Sequence, residues 1–390
     1  MSSIVWACWD GGGNLPPSLG IANSLQRRGH QVRFFGRAEM VGRAEAVGLR
    51  ASAFTHARAD LGRYSFHPRP TVFGYTSSPA VGEELAEIVA ASDPDLVVVD
   101  AMFAAALNVA PRFGRPAAVM LHSFCYRLIG EWRANFTMQS RSRQRAGFDA
   151  LPPLDELWGD RDLLQVNTLA ALDGEPTVDW PHVVHGAPVL AAERRAVPVD
   201  LPWADDDPLP VVLLSFSTAP EQRDPATLQR ALDALAPLPV HVVATTGGIV
   251  EPAELSAPAN AWLTPFADHE PLLERAAVVL GHGGHGTIMR ALRRGVPIVG
   301  IPGVGIDQAP NTRLIEAWGA GLSLPPDADA TRIREAVQEV LADDSFATQA
   351  RQRAQAFGSR DGADLAADSI ETLLASKTSV PGKAPARTTA

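Results

Sequence analysis

One stretch limits the fold more than any other, residues 276–313. An apolar run, Ala277–Leu280, passes directly into Gly281-His282-Gly283-Gly284-His285-Gly286-Thr287. A helical pattern follows over Ile288–Arg294, with Ile288, Met289 and Leu292 on one face, and Gly295 stops it before an apolar run at Pro297–Ile301. Strand, glycine loop, helix and strand in that order make a parallel crossover unit, which commits the chain to an α/β architecture. Glycines let the backbone approach a ligand closely. A helix N-terminus just behind them presents free N–H groups and a favourable dipole, so a phosphate is the natural occupant. His282 adds a donor for a phosphate oxygen and Thr287 a hydroxyl. After a second loop, Asp307-Gln308 opens another helix, and a carboxylate beside a carboxamide suits the vicinal hydroxyls of a sugar.

Gly281, Gly283 and Gly286 also satisfy GxGxxG, with Asp307 downstream as a ribose-binding acid. A dehydrogenase that binds NAD is therefore the rival reading. Two points count against it. Several strands precede the loop, whereas that fingerprint opens its domain. Asp307 also follows an extra Pro-Gly loop instead of ending the next strand.

With 390 residues, two domains of ordinary size are expected. The net charge of −10 argues against nucleic acid as a partner. No apolar run approaches membrane-spanning length, and the start, MSSIVWACW, lacks the marks of a signal peptide. Cys8 and Cys125 are the only cysteines, which excludes a disulfide framework and fits a reducing cytoplasm.

Read from the start, Ile4–Trp9 is a buried strand, Asp10–Asn14 a turn, and a helix runs from Pro16 or Pro17 to Arg28, ahead of a strand at Gln31–Gly36. Asp10, Asp100 and His122 each fall at the carboxyl end of a strand, where open α/β sheets place their sites. Bland roles are available to each: a turn, a helix cap, a satisfied histidine. Residues 56–78 read as a long loop. Residues 123–160 read as two or three short helical pieces in which aromatics alternate with arginines. Phe73, Tyr75, Phe124 and Tyr126 are candidates to stack on a flat apolar ligand, with local packing as the alternative. The arginines form a solvated face or meet an anionic acceptor. Residues 189–210, rich in proline and acid, read as a linker. Beyond it Ser217, Thr218, Thr246, Gly247, Phe266 and Ala267 follow strands on one rim beside the glycine loop.

The arrangement HGGxGT…GxP…P…DQ…N, carried by His282-Gly283-Gly284, Gly286-Thr287, Gly295, Pro297, Pro302, Asp307-Gln308 and Asn311, resembles the donor signature of the GT-B-fold nucleotide-sugar-dependent glycosyltransferases. Within the UDP-glycosyltransferase family the likeness is to the actinobacterial natural-product branch, which decorates macrolides and other antibiotics. The opening GGGNLPPSLGIANSLQRRGHQVRFFG resembles that family's first unit. The likeness implies two Rossmann-like, doubly wound parallel-sheet domains facing across a cleft. Residues 1–190 would bind the acceptor, 191–209 link the domains and 210–358 bind the nucleotide sugar. A helix at 359–376 would cross back to the first domain, leaving a disordered tail at 377–390. Ser217, Thr218 and Thr246 would approach the diphosphate, with Gly247 beside them. Phe266 would stack on the base and Ala267 hold its edge through the backbone.

The implied reaction is inverting and metal-independent, with no cofactor beyond the UDP- or dTDP-sugar donor and with a small hydrophobic acceptor. A homodimer is an open alternative to a monomer. Two residues depart from the family. Arg290 stands where Glu is usual. Asn14 stands where His or Asp serves as base, and an amide takes no proton at neutral pH. Asp100, where the family has the Asp that orients that His, then joins His122 and Asp10 as a candidate replacement. Alternatively the acceptor is acidic, such as a phenol near pKa 10, or the transfer is to carbon. Two further readings remain: a sugar-nucleotide epimerase of similar fold, and a catalytically inactive homologue that binds nucleotide or partners an active enzyme.

Overall fold

The computed structural model describes residues 1–190, 201–204 and 206–378. Most of the expected linker and residues 379–390 of the expected tail therefore lie outside the described residues.

Two parallel sheets organise the chain. The first holds β1 (Ser3–Ala7), β2 (Gln31–Gly36), β3 (Arg50–Ala53), β4 (Leu96–Asp100), β5 (Ala117–Leu121), β6 (Leu163–Val166) and β7 (Val183–His185), in the spatial order 3-2-1-4-5-6-7. The second holds β8 (Val211–Ser215), β9 (His241–Thr245), β10 (Ala261–Thr264), β11 (Ala276–Gly281), β12 (Ile298–Gly300) and β13 (Gly321–Ser323), in the order 10-9-8-11-12-13. Every pairing is parallel. The central strands are apolar on both faces; β4 and β5 are buried throughout, as a sheet with helices on both sides requires. Each sheet reverses its winding once, between β1 and β4 in the first and between β8 and β11 in the second. Ligand crevices form at such points. Asp100 ends β4, and the loops that leave the other three strands carry Asn14, Ser217 and the glycine loop.

Several local expectations change. β1 stops at Ala7, because Trp9 and the residues after it already turn toward the helix Leu15–Arg27. The glycine-loop helix starts at His285 rather than Ile288, since Gly284 is the extended cap and the turn is completed at Gly283, φ +84°. Residues 56–78 are not a bare loop; they contain a 3-10 turn at Leu61–Tyr64 and a helix at Pro70–Thr76. The region read as short helical pieces holds one long helix, Ile129–Arg145, with a π turn at Asp155–Gly159. No proline or internal glycine interrupts that helix after Gly130.

The helix Gly362–Thr378 lies on the first sheet's domain. Its Ala363, Ala366, Ala367, Ile370, Leu373 and Leu374 join Ile4, Trp6, Leu19 and Ala22 in one apolar cluster. Arg28 rims this contact with ion pairs to Asp368 and Glu371, each 2.7 Å. Exposed pairs of that kind add little, so apolar burial holds the helix in place. Among the described residues no helix is long and apolar enough to cross a membrane.

Candidate active site

At the first switch point, Asn14 occupies the N-cap position of the helix Leu15–Arg27 without a side-chain capping bond, and its amide is held on both sides. Its Oδ1 accepts from the Gly11 N–H (2.9 Å), while Nδ2 donates to the Trp9 carbonyl (2.6 Å) and to Asp100 Oδ2 (2.8 Å). The other carboxylate oxygen of Asp100 accepts from the Met102 N–H at 2.9 Å. Asp100 is 2% exposed. Burial raises its carboxyl to about 6, against the opposing donation from Asn14. A buried carboxyl that titrates near neutrality at a switch point is suited to accept a proton.

The other two candidates are placed differently. Asp10 is committed to the turn: Oδ1 accepts from the Gly12 N–H (3.0 Å) and Oδ2 pairs with Arg43 (2.9 Å). His122 lies between two neutral partners, Ser18 Oγ at 2.9 Å from Nε2 and Asn167 Nδ2 at 3.1 Å from Nδ1. Burial first, then the neighbouring His285, lowers it to about 3, so it stays uncharged. The sequence reading missed Ser18 and Asn167. Ser18 was findable as the residue one turn beyond Asn14 on the same helix, and Asn167 as the residue after β6.

The second switch point carries the phosphate-type loop. His282 is half-buried; its Nδ1 is buried with no hydrogen bond of good geometry among the described residues, although the Ser215 backbone is close enough to oppose the burial that lowers the ring to about 4. Thr246 Oγ1 is likewise buried and unpartnered. Beside a glycine loop, such orphan polar atoms are groups that a ligand can satisfy. Gly247 has φ +69°, and a Cβ there would fall 2.5 Å from the Ser217 carbonyl oxygen. Ser217 Oγ accepts from the Ala219 N–H (3.1 Å), and Thr218 comes against Gly12 of the first domain. Phe266 is 55% exposed at the rim, beside Gly248, with Ala267 next to it half-buried. Gly286 and Thr287 are half-buried in the first turn of the helix His285–Arg293.

Gly283 is the most constrained position of the loop. A Cβ there would lie 2.6 Å from Thr312 Cγ2 and 2.7 Å from the Gln308 carbonyl oxygen, at a left-handed φ. Gly283→Ala is expected to destabilise the protein by about 2–4 kcal/mol, from backbone strain plus overpacking. Thermal unfolding reads this as a fall in midpoint, and an unchanged midpoint would show that the loop rearranges freely.

The two halves meet across the cleft. Ser123 Oγ donates to Asp307 Oδ2 (3.1 Å), Arg37 pairs with Glu221 (3.0 Å), and His285 Nε2 lies 3.1 Å from Thr168 Oγ1. Asn311 donates to both Asp307 and the Gly283 carbonyl, tying the Asp307 helix to the glycine loop. Burial pushes the Asp307 carboxyl up. Gln308 donates to Gln222 (2.7 Å) and accepts from the Gly305 N–H (3.2 Å).

The aromatic candidates need correcting. Phe73, Tyr75 and Phe124 are at most 4% exposed. Tyr75 stacks on Phe103 and donates to the Cys8 carbonyl (3.2 Å), Phe73 packs on His67, and Phe124 meets His285 and Trp318 edge-on. These rings form structure behind the site and offer no open face. Tyr126 alone of the four is half-exposed, beside His185. Among the described residues no cluster of three or more His, Cys, Asp or Glu could hold a metal ion.

Comparison with known proteins bears on the fold. Residues 229–371 match the C-terminal domain of the erythromycin biosynthesis protein CIII-like family. A PGL/p-HBAD biosynthesis glycosyltransferase of Mycobacterium tuberculosis is 40% identical over 132 residues, which is 34% of this chain and 30% of that protein. The match thus spans under a third of that relative's length. The NDP-glycosyltransferase YjiC of Bacillus licheniformis is 25% identical over 93% of this chain and 95% of its own. The crystal structure of CalG4, the calicheamicin glycosyltransferase, superposes with a TM-score of 0.74 at 26% identity, covering 98% of this chain and all of that one. The fold is that of a GT-B protein. More narrowly, the chain is a homologue of the glycosyltransferases of natural-product biosynthesis.

Proposed function

We propose that this protein transfers a sugar, with inversion and without a metal, from a UDP- or dTDP-sugar to a hydroxyl of a small hydrophobic natural product, in a cytoplasmic setting. The observation that carries the reading is the pairing of two switch points across one cleft. A buried carboxyl sits on one side, and a glycine loop with a neutral histidine on the other. Asp100 takes the acceptor proton, and Asn14 holds that carboxylate in place. The acceptor oxygen attacks the anomeric carbon from one side as the diphosphate leaves from the other. The helix N-terminus at His285 and the His282 N–H meet the departing charge, while Asp307 and Gln308 orient the sugar. Thr246 Oγ1 completes the phosphate contacts and Phe266 receives the base. A carboxylate is a modest base, so an acidic acceptor such as a phenol, or the carbon ortho to a phenol, fits best.

Asn14 also favours a second reading, an inactive homologue that binds nucleotide. Calorimetric titration with UDP, dTDP and NAD separates the classes. Saturable binding of one diphosphate supports the proposal. Binding of NAD alone would return the loop to a dinucleotide role, and diphosphate binding with no transfer to any acceptor would favour the inactive homologue.

A further inference from the structure

A groove of about 460 Å³ opens on the acceptor domain between the exposed face of the helix Ile129–Arg145 and residues 66–68; Phe66, His67, Thr137, Met138, Arg141 and Arg145 line it. It is an open surface groove rather than an enclosed cavity. The walls are built from behind. Phe66 stacks on the buried Tyr64, which stacks in turn on Phe148. His67 packs on Phe73 at 3.8 Å between ring centres. The Arg145 guanidinium lies 4.3 Å over the Phe66 ring, which fixes its position.

The charge pattern is what points to an occupant. Arg141 and Arg145 stand four residues apart on one helical face, an arrangement that costs stability when nothing neutralises it. Among the described residues neither has a carboxylate partner, although acids outnumber bases in this chain, 44 to 34. Arg133, two turns earlier on the same helix, does pair, with Asp155. Met138, 37% exposed, gives the groove an apolar side. The wall at 66–68 continues to Arg69, whose guanidinium donates to the Val304 carbonyl on the loop before Asp307 (3.2 Å). Pro68, which lines the groove, is thus next in sequence to a residue that bridges to the second domain.

Resting on the transferase reading above, we infer that this groove receives the anionic end of the acceptor, an aryl or acyl carboxylate whose charge meets Arg141 and Arg145 and whose apolar part lies on Phe66 and Met138. The acceptor is thus bifunctional: a hydroxyl at the Asp100 side and an acidic group some distance away.

The test uses an Arg141→Gln/Arg145→Gln double variant of the full chain, with unfolding midpoints as the fold control. The probe is 8-anilinonaphthalene-1-sulfonate, titrated by fluorescence beside its uncharged analogue N-phenyl-1-naphthylamine. The expected result is at least a tenfold loss of affinity for the anionic probe, with the neutral one unchanged. In transfer assays the KM for 6-hydroxy-2-naphthoate should rise about tenfold, with kcat unchanged and with 2-naphthol unaffected. An Arg141→Lys/Arg145→Lys variant should recover part of the loss. Equal probe affinity in wild type and double variant would overturn the site. Lost probe affinity with an unmoved KM would overturn its assignment to the acceptor. Transfer to neither naphthol counts against the transferase reading alone, because the probe titration needs no turnover.

Discussion

Asp100→Asn is expected to lower kcat by roughly 10²–10⁴-fold, the usual worth of a positioned general base, while leaving nucleotide diphosphate affinity unchanged. Among the described residues the side chain's partners are first-domain groups, Asn14, Met102 and Trp9, so donor binding should not register its loss. The pH profile gives an independent check. Burial places the folded carboxyl near 6, and the group works only when ionised. The rate for an un-ionised phenol should therefore fall about tenfold per pH unit below 6 and level off above 7. A profile flat down to pH 5 would remove Asp100 from proton transfer. Asn14→Ala should do less harm, since Asn14 positions the carboxylate and takes no proton itself. The reverse order of severity would make Asn14 the group that holds the acceptor and Asp100 a structural residue.

His282→Ala is expected to weaken diphosphate binding roughly 10–100-fold, the range for one hydrogen bond to a charged group. Because desolvation lowers the ring to about 4, it is neutral throughout pH 6–8 and acts as an N–H donor, not as a cation. Wild-type affinity should therefore show no loss as pH rises from 6 to 8 that the variant lacks. Titration calorimetry at both pH values reads this. Unchanged affinity in the variant would take His282 out of the phosphate site, and a histidine-dependent loss near pH 6.5 would mean the ring is charged.

The parts of the molecule that could be read from sequence are those encoded locally. The glycine loop, its flanking strand and the helix behind it appear as adjacent residues, because φ-permissive glycines and apolar periodicity are local signals. The rim positions of Ser217, Thr246 and Phe266 follow in the same way from the ends of apolar runs. The acceptor side was less legible for a physical reason. Whether Tyr75 or Phe124 faces a ligand or the core depends on how a short helix or a loop rotates against the sheet, and no periodicity over seven residues settles that. Contacts between distant segments were invisible: Ser123 to Asp307 spans 184 residues, and His122 to Ser18 spans 104. Asn14 was visible as a departure, but its hold on Asp100 needed the two strand ends placed side by side.

The most direct test of the central claim is transfer itself. Wild-type protein and Asp100→Asn would be incubated with UDP-glucose or a dTDP-hexose and a phenolic acceptor such as 6-hydroxy-2-naphthoate. Mass spectrometry follows the acceptor, and proton NMR reads the anomeric configuration. The account predicts an acceptor heavier by one sugar residue, of configuration opposite to the donor's, formed by wild type and nearly absent with Asp100→Asn. A product of retained configuration, or equal product from both proteins, would contradict it.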